Sequence, residues 1–399
     1  MGRFLFVVPP LAGHVNPTIS VGRVLERRGH EVAWCGLPGL VEQLLPEDAC
    51  FLAAGSTGAG EHAAELRAQS RTLRGAAAFR FLWESVLVPL AAAMVDGVDA
   101  AAATWAPDVV VVDQQTLAGP LVARRRGLRW ATSATTSVEL VDALAPIPRA
   151  KEWVEEQVTR LQDALGVPAA EQASAAELRF SPHLVLVFST LRLVGEPDGG
   201  DSFPDTFAFV GPSISDRPEP IHFPWHWLDH DVPRVLVTLG TVNTDAGERL
   251  YRATVEALGD EPLQAVLVAP PALFDDETLP ANVVVRGRVP QLALLRHMDA
   301  VVCHGGHNTV CEALAHDLPL VLAPIRDDQP VVAEQVVQAG AGVRVRFGRA
   351  TAGDLRKAVR DVLDEAEYRR AAHDIRRSFD AAGGAPAAAD RLESLACAD

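Results

Sequence analysis

Residues 304–309 read His-Gly-Gly-His-Asn-Thr and follow the apolar run Ala300-Val301-Val302-Cys303. Glycines let a backbone approach a ligand with no side chain in the way. Helix-compatible residues run from Val310 to Ala315 just beyond them. A helix start carries unpaired N–H groups and a partial positive charge. Strand, glycines and helix in that order therefore suit a phosphate or diphosphate. Asn308 and Thr309 could add side-chain donors, and His304 could donate to a phosphate oxygen. Glu312, about one turn into the helix, could accept from ribose hydroxyls. Two other readings compete. Cys303, His304, His307 and Cys311 are the atom types of a zinc site, although their spacing is poor and no second paired cluster supplies a framework. A plain strand-to-helix turn with solvated histidines is the other.

A second pair of residues could move a proton. His14 stands in Ala12-Gly13-His14-Val15-Asn16-Pro17, at the end of the first apolar strand. Imidazole accepts a proton near neutral pH. Asp113 ends the strand Asp108-Val109-Val110-Val111-Val112 and could orient that imidazole and stabilise its cation. Neither GxxxxGKS/T nor GxGxxG occurs, and the glycines of Gly55-Ser56-Thr57-Gly58-Ala59-Gly60 are in the wrong order for a dinucleotide loop. Asp229-His230-Asp231 matches a metal-binding DxD pattern but lies in a proline-rich stretch before a strand, and reads as surface. His222, His226 and His230 recur every four residues, with Pro224 breaking the helix that this spacing would need. Arg326, Asp327 and Asp328 form a charge run of the kind that is usually a solvated face.

The elements that must hold these residues alternate strand and helix. Phe4–Val8 is an apolar strand, a helical pattern spans Thr18–Arg28, and Glu31–Cys35 is the next strand. The same grammar restarts near residue 234, with a strand at Arg234–Leu239, a helix at Ala246–Leu258 and a strand at Gln264–Val268. Continuous apolar strands between helices mean parallel sheets covered on both faces. The fold class is α/β, with a Rossmann-like domain at 1–212, a linker at 213–232, a second such domain at 233–384, and a final helix at 385–399. Helical inserts at 55–105 and 150–180 interrupt the first domain and could shape a binding site.

The 399 residues exceed one ordinary core. A net charge of −16 argues against a nucleic-acid partner. No uninterrupted apolar stretch of membrane-spanning length is present, so no membrane span is expected. The five cysteines, odd in number and scattered, argue against a disulfide framework and fit a reducing cytoplasm.

The stretch His304–Leu314, with Val289-Pro290-Gln291-Leu292 before it and Pro319–Gln329 after it, resembles the nucleotide-sugar signature of the family-one glycosyltransferases. The likeness is greatest to bacterial enzymes that glycosylate antibiotics and other natural products. It implies the GT-B fold, two facing Rossmann-like domains with an interdomain cleft, the first binding the acceptor and the second the nucleotide-sugar, and a final helix packed on the N-terminal domain. Carried onto this chain, it implies that Gly240, Thr241, His304, Gly305, Gly306, Asn308 and Thr309 lie near the donor diphosphate. Val289 and Gln291 would meet the base and ribose, Glu312 the ribose hydroxyls, and Asp328 and Gln329 the sugar hydroxyls. Arg288 stands where the family often has a Trp stacked on the base, and a guanidinium plane can also stack. His14 and Asp113 would be the catalytic pair. The implied reaction is inverting transfer of a sugar from a dTDP- or UDP-sugar to a hydroxyl of a small apolar acceptor, with no metal and no cofactor. A nucleotide-sugar epimerase of the same architecture and a non-catalytic nucleotide-sugar-binding helper are the alternatives. A homodimer is compatible with the sequence.

Overall fold

In a computed structural model, described for residues 1–56, 65–66, 68–70, 73, 75–140, 147–197, 202–214, 221–240, 247–275 and 278–398, the chain divides into two compact units. The first comprises Met1–Ser189, Glu196–Ile214 and Ala382–Asp399; the second comprises Thr190–Gly195 and Ser215–Ala381.

The first unit is built on seven parallel strands: β1 (Arg3–Val7), β2 (Glu31–Gly36), β3 (Cys50–Ala53), β4 (Val109–Asp113), β5 (Trp130–Ala134), β6 (Val185–Val187) and β7 (Phe207–Phe209). Their spatial order is β3-β2-β1-β4-β5-β6-β7. The second unit has six: β8 (Arg234–Thr238), β9 (Gln264–Val268), β10 (Val283–Arg286), β11 (Ala300–Cys303), β12 (Leu320–Leu322) and β13 (Gly342–Arg344), in the order β10-β9-β8-β11-β12-β13. In each sheet the order reverses once, between β1 and β4 and between β8 and β11. Open sheets of this kind take ligands outside the carboxyl ends of the strands at such a reversal.

Alternation along the strands sorts side chains into two cores per unit. In the first unit, Phe4, Phe6, Val109 and Val111 face α1 (Ala12–Arg27), while Leu5, Val7, Val110 and Val112 face α2 (Val88–Trp105) and α3 (Ala118–Arg126). Helix α1 begins at Ala12 rather than in the expected pattern from Thr18, and Pro17 lies inside it. Trp34 seats α1 on the sheet: its Nε1 donates to Thr18 Oγ1 at 3.0 Å, and a Cβ at Gly22 would stand 2.5 Å from its ring. Gly22 thus sets how close α1, and with it His14, can come to β1. The inserts pack on one another: Trp83, Leu87 and Ala91 share a cluster with Val154, Val158 and Leu161 of α4 (Pro148–Ala164).

The stretch Gly75–Trp105 is long and apolar enough, by composition, to cross a membrane. In this fold its Met94, Val95, Val98, Ala101 and Ala102 are core residues against the sheet, which is the burial expected of a helix covering an α/β sheet.

The second unit carries α5 (Glu248–Leu258), α6 (Gln291–Leu295), α7 (His307–Leu314), α8 (Gln329–Gln338), α9 (Ala352–Asp364) and α10 (Ala366–Ala382). The units differ from the expected partition in three places. Residues 190–195 belong to the second unit, where Leu193 joins the core and Thr190 Oγ1 meets Ser378 Oγ at 2.8 Å. Phe223 and Leu228, expected in a linker, are buried in that same core, because apolar side chains so placed are removed from water only by joining it. Residues 382–384 fall in the first unit. The last helix, α11 (Gly384–Cys397), also lies in the first unit, with Ala388, Ala389 and Leu392 in the core beside α1. Arg28 meets Asp390 at 2.7 Å and Glu393 at 2.8 Å, and His30 Nε2 meets Glu393 at 2.9 Å.

Candidate active site

At the reversal of the first sheet, β1 leads into α1 and β4 ends on Asp113. His14 lies in the first turn of α1, not at a strand end, with its backbone N–H on the Leu11 carbonyl at 2.9 Å. Its Nδ1 is 2.9 Å from Asp113 Oδ2. The Asp113 side chain is fully buried, while the His14 side chain keeps 14% of its surface. The other carboxylate oxygen, Oδ1, accepts the Gln115 backbone N–H at 2.9 Å. A third side chain closes the group. Thr135 Oγ1 stands 2.7 Å from His14 Nδ1 and 3.0 Å from Asp113 Oδ2.

The proton positions follow from the inventory of donors. An ionised carboxylate only accepts, so Nδ1 carries the ring proton and Nε2 carries the lone pair. The Thr135 hydroxyl has one hydrogen, which goes to the stronger acceptor, Asp113. Its lone pairs then face Nδ1–H. Thr135 belongs to no motif, and the sequence reading passed over it. The signal that could have found it is register: Asp113 pairs with Ser133, so residue 135 follows two positions on along the same face.

At the reversal of the second sheet, β8 ends before Gly240 and β11 before His304. The His304 ring is packed between two glycines. A Cβ at Gly240 would come 2.7 Å from its Cε1, and one at Gly306 would come 2.5 Å from its Nε2. Gly240 and Gly305 have φ of +71° and +84°, the left-handed region that favours glycine. His304 is 9% exposed. Burial pushes its imidazole down to about 4, against the pull of the Asp328 carboxylate and the Thr238 backbone. At neutral pH it is a neutral N–H donor and not a cation. Thr241, the partner expected beside Gly240, lies outside the described residues.

Helix α7 starts at Gly306 with no side-chain cap and no acidic residue in its first turn. No side chain of its own first turn therefore neutralises its positive end. Asn308 and Thr309, in that turn, are half-buried. His307 is buried, with Nε2 3.5 Å from Cys311 Sγ. Both histidines are thus inside the fold, and the solvated turn is ruled out. Burial pushes the Cys303 thiol up to about 12 and raises Cys311 as well. Among the described residues no group of three or more His, Cys, Asp or Glu could hold a metal ion.

The remaining positions fall around this core of the second unit. Gln291, the first residue of α6, donates through Nε2 to Glu312 Oε2 at 2.7 Å, so these two predicted residues meet. Val289 is 7% exposed and packs in the apolar core. Arg288 is exposed. A Cβ at Gly305 would stand 3.2 Å from the Gln329 carbonyl oxygen, which places the glycine loop against the start of α8. Gln329 Oε1 accepts the backbone N–H groups of Ile325 and Arg326 at 2.9 and 3.2 Å. The amide expected for a sugar is therefore half committed to its own loop. Asp328 caps α8 without a side-chain bond to it. Arg326 is 9% exposed, so the expected solvated charge run is buried at its first member. Asp229-His230-Asp231 forms a local turn, Asp231 N–H bonding Asp229 Oδ1 at 2.9 Å.

The profile of the family described as "UDP-glucoronosyl and UDP-glucosyl transferase" matches residues 230–378. A 4'-demethylrebeccamycin synthase of Lentzea aerocolonigenes is 30% identical, covering 98% of this chain and 99% of its own. The chain is a family-one glycosyltransferase. A demethyllactenocin mycarosyltransferase of Streptomyces fradiae is 28% identical over 99% of this chain and 87% of its own. The crystal structure of the glycotransferase of kitacinnamycin superposes with a TM-score of 0.77 at 26% identity, covering 99% of each chain. The two parallel sheets of this glycosyltransferase are those of the GT-B fold.

Proposed function

We propose that this enzyme transfers a sugar with inversion from a dTDP- or UDP-sugar to a hydroxyl of a small, largely apolar natural-product acceptor, with His14 as general base and no metal. The observation that carries the proposal is the bond of 2.9 Å between His14 Nδ1 and the buried Asp113, which directs the lone pair to Nε2. As the acceptor hydroxyl attacks the anomeric carbon, its proton passes to Nε2. The bond from that carbon to the diphosphate oxygen breaks on the opposite side, which inverts the centre. Asp113 then faces an imidazolium and stabilises it.

The leaving diphosphate gains charge. The uncapped start of α7, with Asn308, Thr309 and the neutral His304, would supply donors there. The Gln291–Glu312 pair suits a ribose, since an oriented carboxylate accepts from neighbouring hydroxyls. Asp328 and Nε2 of Gln329 would meet the sugar. The names of the two relatives, a 4'-demethylrebeccamycin synthase and a demethyllactenocin mycarosyltransferase, support a natural-product acceptor. The His14–Asp113 pair favours a transferase over a helper that only binds nucleotide-sugars.

The test is His14→Ala. Loss of a general base should lower kcat by roughly 10²- to 10⁴-fold, with donor affinity, read by thermal shift with dTDP and UDP, unchanged. Turnover within a few-fold of the parent would refute the assignment. Product anomers resolved by NMR would show whether the centre inverts.

A further inference from the structure

Gln114 follows Asp113 directly and is 2% exposed, yet neither its Oε1 nor its Nε2 has a hydrogen-bond partner. Buried polar groups are normally paired, and an amide left bare at both ends weakens the fold that holds it. Its backbone N–H is satisfied: it reaches the Ser133 carbonyl at 3.3 Å and carries the ladder one residue past β4. Alternation then sets its side chain on the face of Val110 and Val112, away from Asp113. That is the face covered by the insert helix α2, through Met94, Val95 and Val98. A second group repeats the pattern. Ser189, just past β6 and on the same face by the count from Val185 and Val187, is 1% exposed, and its Oγ also lacks a partner. Unsatisfied polar atoms thus lie beyond the carboxyl ends of β4 and β6, on either side of β5, at the end where sheets of this kind take ligands.

We propose that Gln114 is a recognition group for the acceptor. Its amide sets an acceptor oxygen beside a donor nitrogen. The complementary ligand edge has a donor beside an acceptor, as in a lactam or cyclic imide. The amide is withdrawn from bulk solvent, at 2% exposure, so bonds to it are worth more than at a surface. The inference rests on the reading of the first unit as the acceptor side of the transferase.

The test uses the full-length enzyme without donor, so it does not depend on turnover. The probes are hydroxyphenanthridinone, a flat aromatic lactam, and its N-methyl derivative, with binding followed by tryptophan fluorescence. Wild type should bind the N–H lactam about tenfold or more tightly than the N-methyl compound. Gln114→Leu, and Gln114→Met as a second variant of similar volume, should lose that preference while the Tm rises by a few degrees. A structural glutamine would behave in the opposite way, and a Tm that falls or stays level in both variants overturns the proposal. So does equal or absent binding of the two probes to wild type, or a preference retained in the variants. Retained transfer by His14→Ala would instead strike the reading of the reaction, leaving the lactam result to stand by itself.

Discussion

Replacing Asp113 by Asn keeps the shape of the side chain and removes its charge. The Gln115 N–H can still donate to Oδ1, as it does at 2.9 Å, so the fold should survive. What changes is the group 2.9 Å from His14 Nδ1. A hydrogen bond to a charged partner contributes about 1.5–3 kcal/mol. That interaction is strongest when His14 becomes an imidazolium in the transition state. At about 1.4 kcal/mol per tenfold, its loss lowers kcat by roughly 10- to 150-fold. Keeping the Gln115 bond on Oδ1 puts the amide Nδ2–H in the place of Oδ2, facing Nδ1, and drives the ring proton to Nε2. Where a tautomer inverts in this way the loss can approach about 10⁴. Thr135 Oγ1, 2.7 Å from Nδ1, can then donate its hydrogen to that nitrogen, so a value nearer the upper range is expected. The assay is single-turnover release of nucleoside diphosphate from UDP-glucose and dTDP-glucose with a hydroxylated aromatic acceptor, alongside calorimetric donor affinity. A kcat within threefold of wild type would refute the reasoning. So would a loss wholly accounted for by weaker donor binding.

Thr135→Val, which removes the hydroxyl and keeps the volume, should lower kcat about five- to tenfold through its bonds to His14 and Asp113; Thr135→Ser should restore most of it with donor KM unchanged throughout. Gly306→Ala would place a methyl 2.5 Å from His304 Nε2. With Gly240 on the other side, the ring has no room to retreat, so donor KM should rise at least tenfold and Tm should fall, in line with an overpacking cost of about 1–3 kcal/mol. His304 makes stability depend on pH: its folded value of about 4 lies below its ordinary 6.5, so between them the unfolded chain binds the proton more readily. Its contribution is complete above pH 6.5 and falls by roughly 3 kcal/mol as the pH drops to about 4; in urea titrations across that window, His304→Asn should flatten the slope, and an unchanged slope would refute the assignment.

Much of this enzyme could be read from its chain because the signals were local. Apolar runs at 4–8, 109–112, 235–239 and 300–303 marked the inner strands of both sheets. The glycines before α7 announced an open strand-to-helix turn, and His14 and Asp113 stood out as an imidazole and a carboxylate at the ends of neighbouring elements. Other features had no local signal. Gln329 looked like a free sugar ligand, yet its oxygen is held by the amides of Ile325 and Arg326. His307 matched His304 in type, but it is buried beside Cys311. Arg326 belonged to a charge run and is nonetheless inside the fold. Phe223 and Leu228 sat among prolines and are core residues.

Sequence alone determined which residue types were available, the strand–helix alternation that carries them, and the family-like stretch between Val289 and Gln329. Tertiary structure decided which of them meet. Parallel strands are joined by long crossovers, so β4 lands beside β1 and brings Asp113 to a histidine 99 positions earlier. The register of β5 on β4 then adds Thr135 to the pair. The ring of His304 owes its neutrality to the same cause: composition gives an imidazole, and only burial between two glycines denies it a proton.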